Sequence, residues 1–158
     1  MKKALFLDRD GVINIDKNYV NQIDDFEFVD GIFDLCKKYQ DEGYLIIVIT
    51  NQAGIARGYY SVNDFDTLTN WMTAEFLKQG VFLSKVYFCP HHPDFDQDCS
   101  CRKPNPGMLL SAAKDFDIDL SQSVLIGDKQ SDIDAGSNAG IKKLIKVTKD
   151  QSLAYLLV

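Results

Sequence analysis

Ala4-Leu5-Phe6-Leu7-Asp8-Arg9-Asp10-Gly11-Val12 carries four apolar residues straight into a cluster of charge and a glycine. An apolar run this short, bounded this sharply, reads as a strand buried on both faces, the kind found in parallel sheets. Further runs of the same type lie at 45–49, 85–88, 123–126 and 143–147. The stretches between them have helical periodicity. Ile32, Leu35, Cys36 and Tyr39 form one apolar stripe, closed by Gly43. Ser61-Val62-Asn63-Asp64 has a capping-box pattern and leads into Phe65, Leu68, Met72 and Phe76. A third helix is expected with Asn105 as cap and Pro106 in its first turn, followed by Met108, Leu109, Ala112, Ala113 and Phe116. A short fourth runs from Ser131 to about Ala139 and stops at Gly140. Strand and helix alternate from end to end, so the expected class is α/β, with a parallel central sheet covered by helices.

With 158 residues, the expected organisation is one domain over 1–158, large enough to fold around a single core. Seventeen basic against 23 acidic side chains leave a formal net charge of −6, which argues against binding to nucleic acid or anionic membranes. No apolar run reaches the ~18 residues of a membrane span, and residues 4–7 are too few for a secretory core. A cytoplasmic protein is expected. Disulfides among its four cysteines are then improbable, and no long exposed apolar stripe demands a partner, so a monomer is expected.

In an open parallel sheet, ligands bind beyond the carboxyl ends of the strands. Those ends are polar here: Asp8 and Asp10 after the first strand, Thr50-Asn51-Gln52 after the second, Gly127-Asp128-Lys129 after the fourth, and Arg102-Lys103 at the close of the long third loop. Asp8 and Asp10, one residue apart, would point the same way in extended backbone. Joined by Asp128, such carboxylates need a cation between them, and hard oxygen ligands suit Mg²⁺ bridging to a phosphate. Thr50 and Lys103 would add a hydroxyl donor and a fixed positive charge for the phosphoryl oxygens.

In order and spacing these residues resemble the haloacid dehalogenase superfamily of aspartate-nucleophile phosphotransferases. Asp8-Arg9-Asp10-Gly11-Val12 looks like its first motif, Thr50 its second, Lys103 its third, and Gly127-Asp128 with Asp132 its fourth. The resemblance implies a three-layer, Rossmann-like fold with a minimal cap. It also implies Asp8 as nucleophile and Asp10 as acid and base. Mg²⁺ would be held by Asp8, Asp128 and the backbone carbonyl of Asp10, with Thr50 and Lys103 steadying the phosphoryl group. Asp132 would orient Lys129 or the metal's surroundings.

A narrower likeness covers nearly the whole chain. Asp8 to Asn14, Thr50 to Gly58 (TNQAGIARG), Cys89-Pro90-His91-His92-Pro93, Cys101 to Met108 (CRKPNPGM) and Gly127-Asp128-Lys129 look like the D-glycero-D-manno-heptose 1,7-bisphosphate 7-phosphatases. Those enzymes serve the synthesis of nucleotide-activated heptose for lipopolysaccharide or surface glycans. The likeness places Asp16, Lys17, Asn18, Tyr19, Thr50, Asn51, Gln52, Ala53 and Arg102 against substrate. Lys103 and Lys129 join that set, and Arg57 and Arg102 are the candidates for the phosphate that is not cleaved. Cys89, His91, Cys99 and Cys101 supply four soft or borderline ligands within a loop over 89–103, as a closed structural Zn²⁺ site requires. His92 is left as a substrate or surface residue, and Cys36 as a buried thiol.

Other readings stay open on the sequence. The seven residues between His91 and Cys99 are nearer in length to the related histidinol-phosphate phosphatases. A receiver-type phosphoacceptor domain also uses an acidic pocket with Mg²⁺, but its third strand should end in an aspartate, and here it ends in Phe88-Cys89. A zinc-dependent binding module is a further alternative.

Overall fold

The computed structural model describes every residue except Gln97. Its five strands are β1 (Lys3–Leu7), β2 (Tyr44–Asn51), β3 (Leu83–Cys89), β4 (Val124–Gly127) and β5 (Lys143–Lys146), and its α-helices are α1 (Ile32–Asp41), α2 (Val62–Lys78), α3 (Gly107–Phe116) and α4 (Gln130–Ala139). The strands form one sheet in the order β3-β2-β1-β4-β5, with every neighbouring pair parallel.

Period-two alternation sorts the strand residues onto two faces. Leu5, Leu7, Ile46, Val48, Val124 and Ile126 pack with Leu35 of α1 and Leu68, Met72 and Phe76 of α2. Ala4, Phe6, Ile47, Ile49 and Leu125 pack on the other side with Met108, Leu109 and Ala112 of α3 and Ala135 of α4. The result is the expected three-layer α/β sandwich. Both faces of β1 are fully buried, which is why its sequence is apolar without alternation.

Topology then positions the crevice. From β1 the chain crosses to β2 and β3 on one side, and after β3 it returns to β4 on the other, so the crossovers diverge at the carboxyl end of β1. Asp8 leaves that end with its backbone N–H donating to the Ile126 carbonyl at 3.2 Å, which ties the first acidic loop to β4. The connections that reach over this edge, residues 8–31, 52–61 and 90–106, are short, in keeping with a minimal cap.

Several boundaries differ from the sequence reading. The N-cap of α3 is Pro106, with no side-chain cap; Asn105 instead donates its Nδ2 to the Cys99 carbonyl at 2.8 Å and so braces the cysteine loop. Helix α4 begins at Gln130, and the Asp132 carboxylate accepts from the Lys129 backbone N–H at 3.1 Å. β2 continues through Thr50 and Asn51 because β3 pairs alongside as far as Cys89. The 3-10 turns among the described residues, Ile23–Asp25, Leu120–Gln122 and Ala154–Leu157, lie outside the expected elements, the second capped by Asp119, whose Oδ1 accepts from the Ser121 N–H at 3.0 Å. Among the described residues, no helix is long and apolar enough to cross a membrane.

Candidate active site

Lys103 is the hub of the crevice. Its ammonium is buried and donates to Asp8 Oδ1 at 2.9 Å, to Asp132 Oδ1 at 2.5 Å and to the Ile49 carbonyl at 3.2 Å. All three of its hydrogens are therefore spoken for, which makes a flexible side chain a fixed charge. Burial alone would lower its pKa, but Asp8 and Asp132 outweigh that and hold it above the ordinary lysine value. Asn51 fixes the Lys103 backbone, accepting from its N–H at 3.1 Å and donating to its carbonyl at 3.4 Å.

Asp8, Asp128 and Asp132 can bring one carboxylate oxygen each to within 4.8 Å of one another. Burial drives Asp8 well above the usual carboxylate range; Lys103 pulls it down, and Asp132 and Asp128 push it up again. Asp128 is raised too, chiefly by burial, and its Oδ1 is buried without a hydrogen-bond partner. Three clustered carboxylates, two of them paired with the Lys103 ammonium and the third, Asp128, with an orphaned oxygen, form a donor set that fits a hard divalent cation. Gly11 keeps this space open. Its φ is +92°, and a Cβ there would come within 2.5 Å of Asp128 Oδ2.

Asp10 faces elsewhere. β1 ends at Leu7, so the extended geometry that would align Asp8 with Asp10 is not kept, and the Asp10 carboxylate is not part of the acidic cluster. Its Oδ1 accepts from Arg9 Nη2 at 2.8 Å and Nε at 3.3 Å, and from Asn14 Nδ2 at 3.0 Å. Its Oδ2 accepts from Gln52 Nε2 at 3.2 Å. Gln52 also donates to Thr50 Oγ1 at 2.9 Å and accepts from the Tyr60 hydroxyl. Arg9 is almost fully buried, donates onward to the Val20 carbonyl at 2.8 Å and lies over the Phe26 ring.

A cleft of 520 Å³ opens above these groups, lined by Asp10, Asp16, Asn18, Tyr19, Asn51, Gln52, Ala53, Tyr60, His92, Arg102, Lys103, Lys129 and Ser131, with Pro104. A smaller recess beneath it is lined by Asp8, Asp10, Asn51, Lys103, Lys129, Ser131 and Asp132. Most of the residues singled out in the sequence thus meet in one place. Lys17 is exposed and outside both linings. Arg57 stands behind the cleft wall, its Nη2 3.0 Å from His92 Nε2 and its guanidinium over the Phe95 ring. Arg102 donates to the His91 carbonyl at 3.2 Å and faces the cleft. Asp132 holds the Lys103 ammonium rather than the Lys129 side chain. Arg9, Asn14 and Ser131 have no role in the sequence reading beyond their motif or helix: Arg9 and Asn14 act through buried contacts, and Ser131 reads only as the start of a helix.

In the long loop, ligand atoms of Cys89, His91, Cys99 and Cys101 lie within 4.8 Å of one another. A zinc tetrahedron with bonds of about 2.0–2.3 Å has edges of roughly 3.4–3.8 Å. Cys89 to Cys99 is 3.7 Å, Cys99 to Cys101 is 3.6 Å, and His91 Nδ1 lies 3.4 Å from Cys89 and 3.2 Å from Cys101. Of the two other pairs, Cys89 and Cys101 depart from the expectation of reduced cysteines, since their sulfurs are in disulfide contact. Their Cα atoms are 5.5 Å apart, so the convergence that suits a metal also permits a sulfur–sulfur bond. Cys99 and the imidazole complete a donor set that a disulfide does not use. Cys36 is a buried free thiol.

Comparison with known proteins agrees with this geometry. Residues 100–152 match the HAD-hydrolase-like family model. Over 149 residues the chain is 54% identical to the D-glycero-alpha-D-manno-heptose-1,7-bisphosphate 7-phosphatase of Campylobacter jejuni, covering 94% of this chain and 84% of that one. It belongs to the heptose-1,7-bisphosphate 7-phosphatase family. A member from Pasteurella multocida, named for the beta anomer, is 49% identical over 93% of this chain and 82% of its own. The crystal structure of the family's D,D-heptose 1,7-bisphosphate phosphatase from B. bronchiseptica, complexed with magnesium and phosphate, is similar with a TM-score of 0.83 at 30% identity, covering 90% of this chain and 79% of that one. The receiver-domain and zinc-module readings of the sequence give way to this membership.

Proposed function

We propose that the chain hydrolyses the 7-phosphate of D-glycero-D-manno-heptose 1,7-bisphosphate, as a cytoplasmic monomer of one domain that acts on no nucleic acid or membrane. Its product would feed nucleotide-activated heptose for lipopolysaccharide or surface glycans. The observation that carries the reading is the separation of two carboxylates by environment. Asp8 is paired with the fixed Lys103 beside an acidic cluster, whereas Asp10 is clamped by Arg9, Asn14 and Gln52 at the cleft. Two carboxyl groups held so differently suit two roles.

In the first step an Asp8 carboxylate oxygen attacks phosphorus. The bond from phosphorus to the sugar's O7 breaks, and O7 leaves with the electron pair and takes a proton from Asp10. In the second, a water gives its proton to Asp10 and attacks the aspartyl phosphate, releasing inorganic phosphate and restoring both residues. Lys103 and the Thr50 hydroxyl steady the phosphoryl oxygens as charge spreads over them. Asp8, Asp128 and the Asp10 carbonyl would hold Mg²⁺, which supplies the positive charge that lets a carboxylate approach an anionic phosphorus. Cys89, His91, Cys99 and Cys101 would hold Zn²⁺ and so brace the loop that carries Arg102 and Lys103. Arg102 would meet the uncleaved phosphate, and Asp16, Asn18, Tyr19, Ala53 and Lys129 the sugar. Arg57 would act from behind His92, and Lys17 from the rim.

The test is steady-state phosphate release from both heptose bisphosphate anomers and from histidinol phosphate. A site built around a charged partner rejects an analogue lacking it, so a bisphosphate should lead by at least ~10²-fold in kcat/KM. Equal efficiency on histidinol phosphate would overturn the substrate assignment and leave the catalytic one standing.

A further inference from the structure

The cleft contains a buried amide with both its donors and its oxygen engaged. Gln52 is 3% exposed. Its Nε2 spans Asp10 Oδ2 and Thr50 Oγ1, and its Oε1 takes the Tyr60 hydroxyl. A primary amide has two donors and one acceptor oxygen, and turning it over would set an oxygen against the Asp10 carboxylate. Tyr60 prevents that turn by donating to Oε1. Burial pushes the Tyr60 phenol up to about 12, so it remains a donor at neutral pH. The ring itself is held where Gly54 has no side chain: a Cβ on Gly54 would overlap Tyr60 and come within 2.9 Å of Tyr19.

The two oxygens of Asp10 are unequally occupied. Oδ1 receives N–H groups from Arg9 and Asn14, whereas Oδ2 receives only the one from Gln52. The hydroxyl of Thr50, accepting from Gln52, keeps its own hydrogen for another acceptor; within the chain the nearest is the Asn51 carbonyl at a weak 3.4 Å. One amide therefore sets the aim of two groups that act on opposite ends of the bond to be broken.

We propose that Gln52 is a positioning residue rather than a substrate contact: locked by Tyr60, it aims Asp10 Oδ2 at the leaving oxygen and the Thr50 hydrogen at the phosphoryl group. This rests on the acid–base role given to Asp10 above.

The experiment compares kcat/KM, which reports the steps up to departure of the alcohol, for the heptose bisphosphate and for p-nitrophenyl phosphate, whose leaving group needs no proton. Misaiming Thr50 slows both esters alike, and misaiming Asp10 adds a loss confined to the sugar ester. Gln52→Leu should show that added loss at about 10-fold or more, and Tyr60→Phe should show it in the same direction at a few-fold. Tyr60→Phe keeps the test alive if Gln52→Leu does not fold. Equal losses on the two esters in either folded variant would overturn the inference. Asp10→Asn serves as the control. If it loses the sugar ester no more than the activated one, the acid assignment falls and this inference falls with it. If it discriminates while the Gln52 and Tyr60 variants do not, the positioning role alone fails.

Discussion

Asp8 is expensive to keep ionised where it stands, and that cost separates its chemical role from a structural one. Burial raises its pKa well above the ordinary value, so its contribution to stability is fully present below the unfolded carboxyl pKa and is lost as pH rises through the folded one. At neutral pH and without a divalent cation, the native state therefore carries a penalty that an uncharged isostere escapes. Asp8→Asn should abolish phosphate release, yet melt in EDTA at or above the temperature of the unaltered protein. An inactive variant that also melts well below it would point to misfolding instead. Asp10→Asn, which leaves Asp8 in place, should slow turnover by at least ~10²-fold, the usual size of acid–base assistance. The acidic residues themselves were legible in the sequence, because polar groups crowding the ends of apolar strands have few purely structural explanations. Their partners were not. Arg9 and Asn14 belong to the motif stretch without a role of their own, and nothing local tells that the fold buries them against Asp10. Tyr60 reads as the end of a pocket-shaping stretch, Ala53 to Tyr60, and its hold on Gln52 shows only once Gly54 and Gln52 close around it.

Elements were read best where one period or one cap decides them. The Ser61 box is complete in the structure: Ser61 Oγ accepts from the Asp64 N–H at 3.0 Å, and Asp64 Oδ2 from the Ser61 N–H at 2.9 Å. Ser61→Ala should cost about 0.5–2 kcal/mol in urea unfolding, with activity at saturating substrate unchanged, since the cap lies outside the cleft. Asn105 was misread as a cap because its side chain is recruited across the loop to Cys99, a tertiary contact invisible to local propensity. That same contact ties the start of α3 to the cysteine cluster. One tightly held zinc per chain is expected by elemental analysis. Cys99→Ser should lower both zinc content and kcat, because the loop carries Arg102 and Lys103 while Cys99 itself lies outside the main cleft. Full zinc retention with lost activity would deny the loop its bracing role.

At the scale of the molecule, the parallel order β3-β2-β1-β4-β5 gathers residues from distant parts of the chain at one edge, with an acidic cluster at its foot on a protein already at −6. A sugar bisphosphate must approach against this field, so a cation at the carboxylates serves entry as well as chemistry. The two candidate metal sites differ in the ligands they offer. The carboxylate site lies at the foot of an open cleft and offers hard oxygens, whose cation keeps water and exchanges readily. The cysteine site, with Cys89 and Cys101 reduced, would offer three thiols and an imidazole, a closed set with soft ligands. Brief EDTA treatment should therefore stop phosphate release while leaving zinc content nearly intact, and added Mg²⁺ should restore the rate. Ca²⁺ should restore it poorly, because a larger ion with looser geometry does not set the distance between Asp8 and phosphorus as Mg²⁺ does. Activity that survives EDTA with zinc retained would mean that Lys103 alone neutralises the phosphoryl charge. Activity recovered only when zinc is added would move the catalytic cation from the carboxylates to the cysteine loop.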